Sequence, residues 1–249
     1  MLGGVDRVLA RRTVTVAGGL GVGFKLDACY LPPRHVQAYG LVRGTLEPSV
    51  QEAFRRVVAP GATVLDVGAN LGFFSLLASR LAGPCGKVVA VEALPDNAEA
   101  LRANCALNDA SNVTVLEAAA SDGDGRGAFL HVEEGSWSHL ADRGWHRGTV
   151  EQIEVELTTV DGLIDRGFLA APDVVKIDVE GSEAAVLDGM TDTLRHVRPI
   201  LIIELHGTNQ EVFERLEKAD YFPRTSTGPS RSSRPGPYTV LARPRRAQA

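Results

Sequence analysis

The sequence predicts an α/β fold, a mostly parallel, doubly wound sheet with an N-terminal β-hairpin extension, on three observations. Short apolar runs alternate with helical stretches, as expected of strands covered on both faces. One run, VLDVGANLGFF (Val64 to Phe74), passes through a glycine-bearing turn directly into a helical pattern. A chain of 249 residues with 44% hydrophobic content can bury one sizeable core. The expected division is an extension over 1–48, a main domain over 49–243 and a loose basic tail over 244–249.

Taken in order, Arg11 to Leu26 (RRTVTVAGGLGVGFKL) reads as two short strands about a glycine turn, so these glycines serve backbone geometry rather than phosphate binding. Strands of the main sheet are expected at Thr63 to Val67, Lys87 to Glu92, Val113 to Glu117, Asp173 to Asp178 and Pro199 to Leu205. Helices are expected between them at Leu71 to Leu81, Pro95 to Asn108, Gly181 to Met190 and Thr208 to Lys218. The last begins with Thr208 and Glu211 at capping-box spacing and places Val212, Phe213 and Leu216 on one face. Gly123 to Val150 reads as an insertion too polar and glycine-rich to be core, yet long enough to cover a pocket. After Tyr221 an antiparallel pair ends at Tyr238 to Ala242, and the chain from Pro244 onward is expected to be loose.

The formal charge of -5 is unevenly spread, because six arginines and no carboxylate follow Asp220. An acidic body argues against a nucleic-acid partner, which needs clustered positive charge on a folded face. Cys29, Cys85 and Cys105 form neither a zinc pattern nor a disulfide framework and suit a reducing compartment. With no signal peptide or apolar run long enough to span a membrane, the expected location is the cytoplasm. The sequon at Asn112 falls within a predicted strand and reads as chance; self-association into a homo-oligomer is left open.

The loop after the first main strand discriminates between cofactors. In the dinucleotide fingerprint G-x-G-x-x-G the second glycine lets backbone approach a pyrophosphate and the third packs helix on strand. Aligned at Gly68, this chain offers Asn70 and Phe73 there, which disfavours a dinucleotide oxidoreductase. S-adenosylmethionine, cationic at sulfur and without phosphates, tolerates Asn70 and benefits from Asp66 at the strand end. Its ammonium can meet Asp66 directly or through water, and its carboxylate can take backbone N–H groups near Asn70 to Gly72. Glu92, at the end of the second strand, can accept from both ribose hydroxyls.

The motifs VLDVGANLGFFSL, VEALPDNAEALRAN, AAASDGDG, DVVKIDVEGSEAAVLDGM and ILIIELH together resemble the FkbM family of S-adenosylmethionine-dependent O-methyltransferases, over roughly Gly44 to His206. The resemblance implies a Rossmann-like class I methyltransferase fold acting on a hydroxyl of a small natural product, a sugar or a polysaccharide unit. It implies that Asp66, Gly68, Ala69, Asn70, Gly72, Glu92 and Ala93 line the cofactor, with Asn97 supporting the second turn and Ser121 near the adenine. RGTLEP (Arg43 to Pro48) is similar to the family's lead-in segment, which brings Glu47 near the cofactor. Ala93 stands where the family usually has proline. A non-catalytic cofactor-binding module is the reading from another class.

Methyl transfer to an alcohol must align the acceptor oxygen and help remove its proton. Asp178, Glu204 and His206 fall at adjacent strand ends facing one crevice and could bind Mg²⁺. Alternatively Asp178 or His206 serves as base, with Lys176 or Glu180 orienting the acceptor; Lys176, two residues before Asp178 on one strand face, equally reads as its ion-pair partner. His139, with Trp137, Trp145 and His146, lies in the insertion and could close over the acceptor, or these residues anchor the loop to the body.

Overall fold

The computed structural model describes residues 13–31, 36–132, 139–140, 150–225 and 238–245. In chain order the elements are β1 (Thr13–Thr15), β2 (Lys25–Asp27), α1 (Val36–Arg43), α2 (Pro48–Val57), β3 (Thr63–Val67), α3 (Phe73–Ala82), β4 (Lys87–Glu92), α4 (Pro95–Leu107) and β5 (Val113–Glu117). They continue with β6 (Ala119–Ala120), β7 (Gly125–Val132), β8 (His139–Leu140), β9 (Val150–Thr158), α5 (Val160–Asp165), β10 (Val174–Ile177) and α6 (Glu183–Asp188). A π turn (Thr193–Val197) leads to β11 (Ile200–Leu205), α7 (Asn209–Lys218), β12 (Tyr221–Thr225) and β13 (Tyr238–Pro244).

The main sheet has the order β12-β13-β11-β10-β3-β4-β5. Strands β11, β10, β3, β4 and β5 are mutually parallel, and β13 runs antiparallel to its two neighbours. Successive residues of the central strands feed opposite faces. Val64 joins a core with Phe54, Phe73, Leu77 and Leu101, while Leu65 joins one with Val186, Leu187, Val212 and Leu216. That is why these strands read as unbroken apolar runs. Each such side chain, fully buried, contributes about 1.5–3 kcal/mol.

The N-terminal hairpin is part of the first core, since Val16, Phe24 and Leu26 pack there. It is fastened by the Asp27 amide, which donates to Asn104 Oδ1 on α4 at 2.8 Å. Asn112 of the sequon is also structural: its amide donates to Gly83 O at 2.9 Å and closes the turn after α3. No helix among the described residues is long and apolar enough to cross a membrane.

Three expectations are corrected. The stretch after Gly123 is no irregular insertion at its ends: β7 and β9 pair antiparallel from Gly125↔Leu157 to Val132↔Val150, in a second sheet of order β6-β9-β7-β8. Its inner face carries Phe129, Ile153, Val155 and Leu157 against Ala93 and Ala119, a period-two pattern that the flanking glycines mask. His139 pairs through its backbone with Leu130 in β8, and Trp137, Trp145 and His146 lie outside the described residues. The capping box at α7 does not form, because the Thr208 hydroxyl donates to Glu183 Oε2 at 2.5 Å and makes no cap bond. Finally, Pro244 belongs to β13 and the Arg245 amide donates to Asp220 O at 2.9 Å, so the ordered sheet runs past residue 243.

Candidate functional site

The chain leaves β3 toward β4 and leaves β10 toward β11, on opposite sides, so the seam between β3 and β10 is the point where strand order reverses. Crevices at such points, outside the carboxyl ends of the strands, are where open α/β sheets bind ligands. Here the two loops touch. A Cβ on Gly68 would lie 1.8 Å from Asp178 O, so only glycine permits this approach. Gly68, Asn70 and Gly72 all take the left-handed conformation, at φ 73°, 50° and 87°. Asparagine is among the side chains that tolerate that region, which accounts for the Gly-x-Asn-x-Gly pattern.

The loop's amides are partly spent inside the protein. Those of Gly68 and Ala69 donate to Val91 O, that of Gly72 to Ala69 O, and that of Asn70 to Glu92 Oε2 at 2.7 Å. Among the described residues the amides of Leu71 and Phe73, at the head of α3, have no acceptor. Of the amides expected over Asn70 to Gly72, that of Leu71 alone therefore has no acceptor among the described residues, and Phe73 is joined by Phe74 and Ser75 in the first turn of α3, before the Leu76 amide makes the first helical bond to Gly72 O.

Glu92 stands at the rim of β4. Its Oε1 accepts from the Leu94 amide at 3.0 Å and from Asn97 Nδ2 at 3.4 Å, which ties the turn after β4 to the first turn of α4. Burial raises its pKa, partly offset by these bonds and by the Asn70 amide. Ala93, buried against Ala119 and Val155, takes the place of the family's proline, and Pro95 begins α4 two residues later. Ser121, buried after β6, donates its amide to Thr158 O at 2.9 Å and its hydroxyl to Asp122 Oδ1 at 3.2 Å.

Asp66 is placed differently from expectation. It is fully buried, accepts from the Ser75 hydroxyl at 2.6 Å and faces Lys176 Nζ at 3.4 Å, across the registered pair Lys176↔Asp66. A direct contact with a bound ammonium is closed to it, and Asp66 forms the floor beneath Lys176. Lys176 is itself nearly inaccessible, with Asp178 Oδ2 at 3.3 Å, Gly68 O at 3.4 Å and the Phe74 ring below at 5.3 Å. Burial would drive off its proton, but Asp178, Asp66, Glu47 and Glu204 outweigh burial and hold the ammonium charged. Lys176 thus ties β3 to β10 and does not reach an acceptor.

Next to it lies a cluster from the ends of β10 and β11. His206 Nε2 is 3.5 Å from Glu180 Oε2 and 3.8 Å from Asp178 Oδ1, while its Nδ1 bonds Glu183 Oε1 at 2.9 Å. Burial opposes the imidazolium, yet the bond to Glu183 and the charges of Glu180 and Asp178 prevail and lift its pKa to about 9. Glu183, unforeseen in the sequence, has 0% exposure and also accepts from the Gly181 amide and the Thr208 hydroxyl. Glu180 sits in the left-handed region at φ 48°, with its carboxyl pushed up to about 7, by burial first and then by Asp178 and Glu183. Glu204, 8% exposed, is pushed up to about 10 by burial and by the neighbouring Glu47 and Asp178.

Asp178, Glu204 and His206 each offer a ligand atom within 4.8 Å of the others, close enough to share a cation. The donor set nonetheless fits a divalent metal poorly. Lys176 already occupies Asp178, His206 is held as a cation by Glu183, and Glu204 retains its proton at neutral pH. A metal must displace all three.

The family described as Methyltransferase FkbM domain matches residues 66–223. The chain is 33% identical over 147 residues to a hexuronic acid methyltransferase, AglP, of Haloferax volcanii, an overlap of 57% of this chain and 55% of that one. It is 31% identical over 159 residues to the 31-O-demethyl-FK506 methyltransferase FkbM of Streptomyces tacrolimicus, covering 53% of this chain and 61% of that protein. The chain thus spans little more than half the length of these relatives. A solved FkbM methyltransferase from Methylobacillus flagellatus superposes with a TM-score of 0.50 at 18% identity, over 82% of this chain and 53% of that one, which shows the shared fold. The architecture is that of the class I methyltransferases, and the chain belongs to the FkbM methyltransferase family.

Proposed function

We propose that the protein transfers a methyl group from S-adenosylmethionine to a hydroxyl oxygen of a small natural product, a sugar or a polysaccharide unit. The observation that carries this reading is the seam itself: the close contact of the β3 loop with the β10 loop, Gly68 against Asp178 O, sets the loop that Glu92 buttresses beside the carboxylates Asp178 and Glu180. The relatives whose names specify a hexuronic acid and 31-O-demethyl-FK506 support a hydroxylated acceptor.

When bound, the cofactor supplies an electrophilic methyl group on a sulfonium. In this reading Glu92 accepts from the ribose hydroxyls, the Leu71 and Phe73 amides receive the carboxylate at the head of α3, and Ser121 borders the adenine. Gly68, Ala69, Asn70 and Gly72 shape the backbone under the nucleoside. Proton removal falls to the rim carboxylates. Lys176 is sealed and His206 already carries its proton, which takes both out of the role of base at neutral pH. Glu180, with a pKa of about 7 and a side chain 21% exposed, is the proton acceptor, Asp178 orients the hydroxyl, and the imidazolium of His206 stands 3.5 Å from Glu180 and 3.8 Å from Asp178 as their counter-charge. His139 remains a candidate for the acceptor side through its position in β8.

The test is incubation of the protein with labelled cofactor and a panel of hydroxylated metabolites, read by a mass gain of one methylene. Glu180→Gln is expected to lower kcat by about 10²–10⁴-fold with cofactor affinity unchanged. Activity that survives excess EDTA and gains nothing from Mg²⁺ or Mn²⁺ supports the metal-free arrangement; strict dependence on either ion refutes it.

A further inference from the structure

Glu183 is the first residue of α6, a place where an acidic side chain ordinarily does no more than complement the helix dipole. Here its bonds lead away from the helix. Oε1 accepts from the Gly181 amide at 3.0 Å and from His206 Nδ1 at 2.9 Å, and Oε2 accepts from the Thr208 hydroxyl at 2.5 Å. The side chain has no exposure, so all three bonds are made away from water, where each is electrostatically stronger. Burial alone would favour the neutral acid, but the three donors prevail and lower its pKa, which leaves a charged carboxylate in the interior.

Two of those donors belong to the acceptor rim. Gly181 follows Glu180, and both take left-handed backbone, at φ 101° and 48°, so the amide bond to Glu183 pins the turn that presents the Glu180 carboxyl. His206 turns its other nitrogen to that same carboxyl, Nε2 lying 3.5 Å from Glu180 Oε2 and 3.8 Å from Asp178 Oδ1. A half-turn of the imidazole about its Cβ–Cγ bond would exchange Nδ1 with Cδ2 and Nε2 with Cε1, putting carbon against all three carboxylates. The Nδ1 bond to Glu183 selects the working orientation, as the carboxylate behind the histidine of a catalytic triad does.

We infer that Glu183 is a positioning residue for methyl transfer: through Gly181 it fixes the backbone that carries Glu180, and through His206 Nδ1 it fixes the counter-charge that Glu180 faces. The inference rests on the methyltransferase reading above, in which Glu180 takes the proton. Sealed beneath the rim, Glu183 acts through these two residues and not on the reacting atoms.

Glutamine separates position from charge. Glu183→Gln keeps the size of the side chain and an oxygen for the Gly181 amide, and removes the charge that holds the His206 ring. Its kcat is expected to fall about tenfold or more at a fixed neutral pH, with KM for S-adenosylmethionine within about twofold. The same substitution in a His206→Gln chain is expected to cost less than about twofold, because its partner is already gone; a residue with only a structural role would cost as much in either background. NMR of the full chain carrying isotope-labelled histidine reads the ring directly. The His206 signals, identified by their loss in His206→Gln, are expected to show a hydrogen-bonded Nδ1 proton in wild type that is lost or shifted in Glu183→Gln. Equal kcat in Glu183→Gln and wild type, or an equal loss in both backgrounds, overturns the inference. Should Glu183→Gln not fold, the wild-type spectrum decides: an Nδ1 proton protected from solvent exchange supports the inference, and an unprotected one overturns it. A wild type with the protected proton that neither binds S-adenosylhomocysteine nor methylates any hydroxylated acceptor overturns the methyltransferase reading instead.

Discussion

Substitution of Gly68 by alanine probes the contact on which the whole site is built. At φ 73° the added Cβ meets Asp178 O at 1.8 Å, Asp178 C at 2.9 Å and Val179 Cγ1 at 3.4 Å. The left-handed backbone alone costs about 1–2 kcal/mol for alanine. Relieving the clash requires the β3 and β10 loops to part by about 1.2 Å before the carbonyl contact reaches even 3.0 Å. Glu92 and Asn70 lie on one side of that seam and Asp178 and Glu180 on the other, so the displacement separates methyl donor from acceptor. Misplacement by about 1 Å costs on the order of 10²-fold in rate. Gly68→Ala is therefore expected to lower Tm by several degrees and kcat by about two orders of magnitude, measured by thermal denaturation and by methyl-transfer kinetics at saturating cofactor. A variant with wild-type kcat would refute the placement of the reaction at the β3–β10 seam.

Other outcomes follow from the buried charges. Lys176→Met leaves Asp66 and Asp178 without their common cation and is expected to destabilise the fold by about 3–5 kcal/mol in urea denaturation, a loss that Asp66→Asn in the same chain partly restores. His206 has its pKa raised from 6.5 to about 9, so its stabilising contribution is whole below pH 6.5 and is lost as pH rises through 9. Tm should fall between pH 7 and pH 10, and His206→Gln should reduce that fall. Glu180 titrates near 7, so kcat should rise through neutral pH in wild type and lose that limb in Glu180→Gln.

The central sheet was legible because its strands are buried on both faces. β3, β4 and β5 begin and end at the residues where the apolar runs do, and β10 and β11 differ by a residue at their ends. The β7–β9 ribbon was not, since only one of its faces is apolar and glycines interrupt the alternation. At the site, residue order correctly brought Lys176 beside Asp178, two positions along one strand. What residue order could not convey was which carboxylates the protein uses up internally. Asp66 is hidden by a serine nine residues later and a lysine 110 residues later, and Glu183 meets His206 only because α6 packs under the end of β11. The same tertiary pairing took Thr208 away from its helix cap.

The claim that Glu92 anchors a nucleoside at this seam is tested most directly by calorimetric titration of S-adenosylhomocysteine into wild type and Glu92→Gln. One site per chain is predicted, with affinity reduced about tenfold in the variant, because a charged acceptor bonds hydroxyls more strongly than a neutral amide does. Absence of binding heat and of any Tm shift in wild type, or equal affinity in the two proteins, would contradict it.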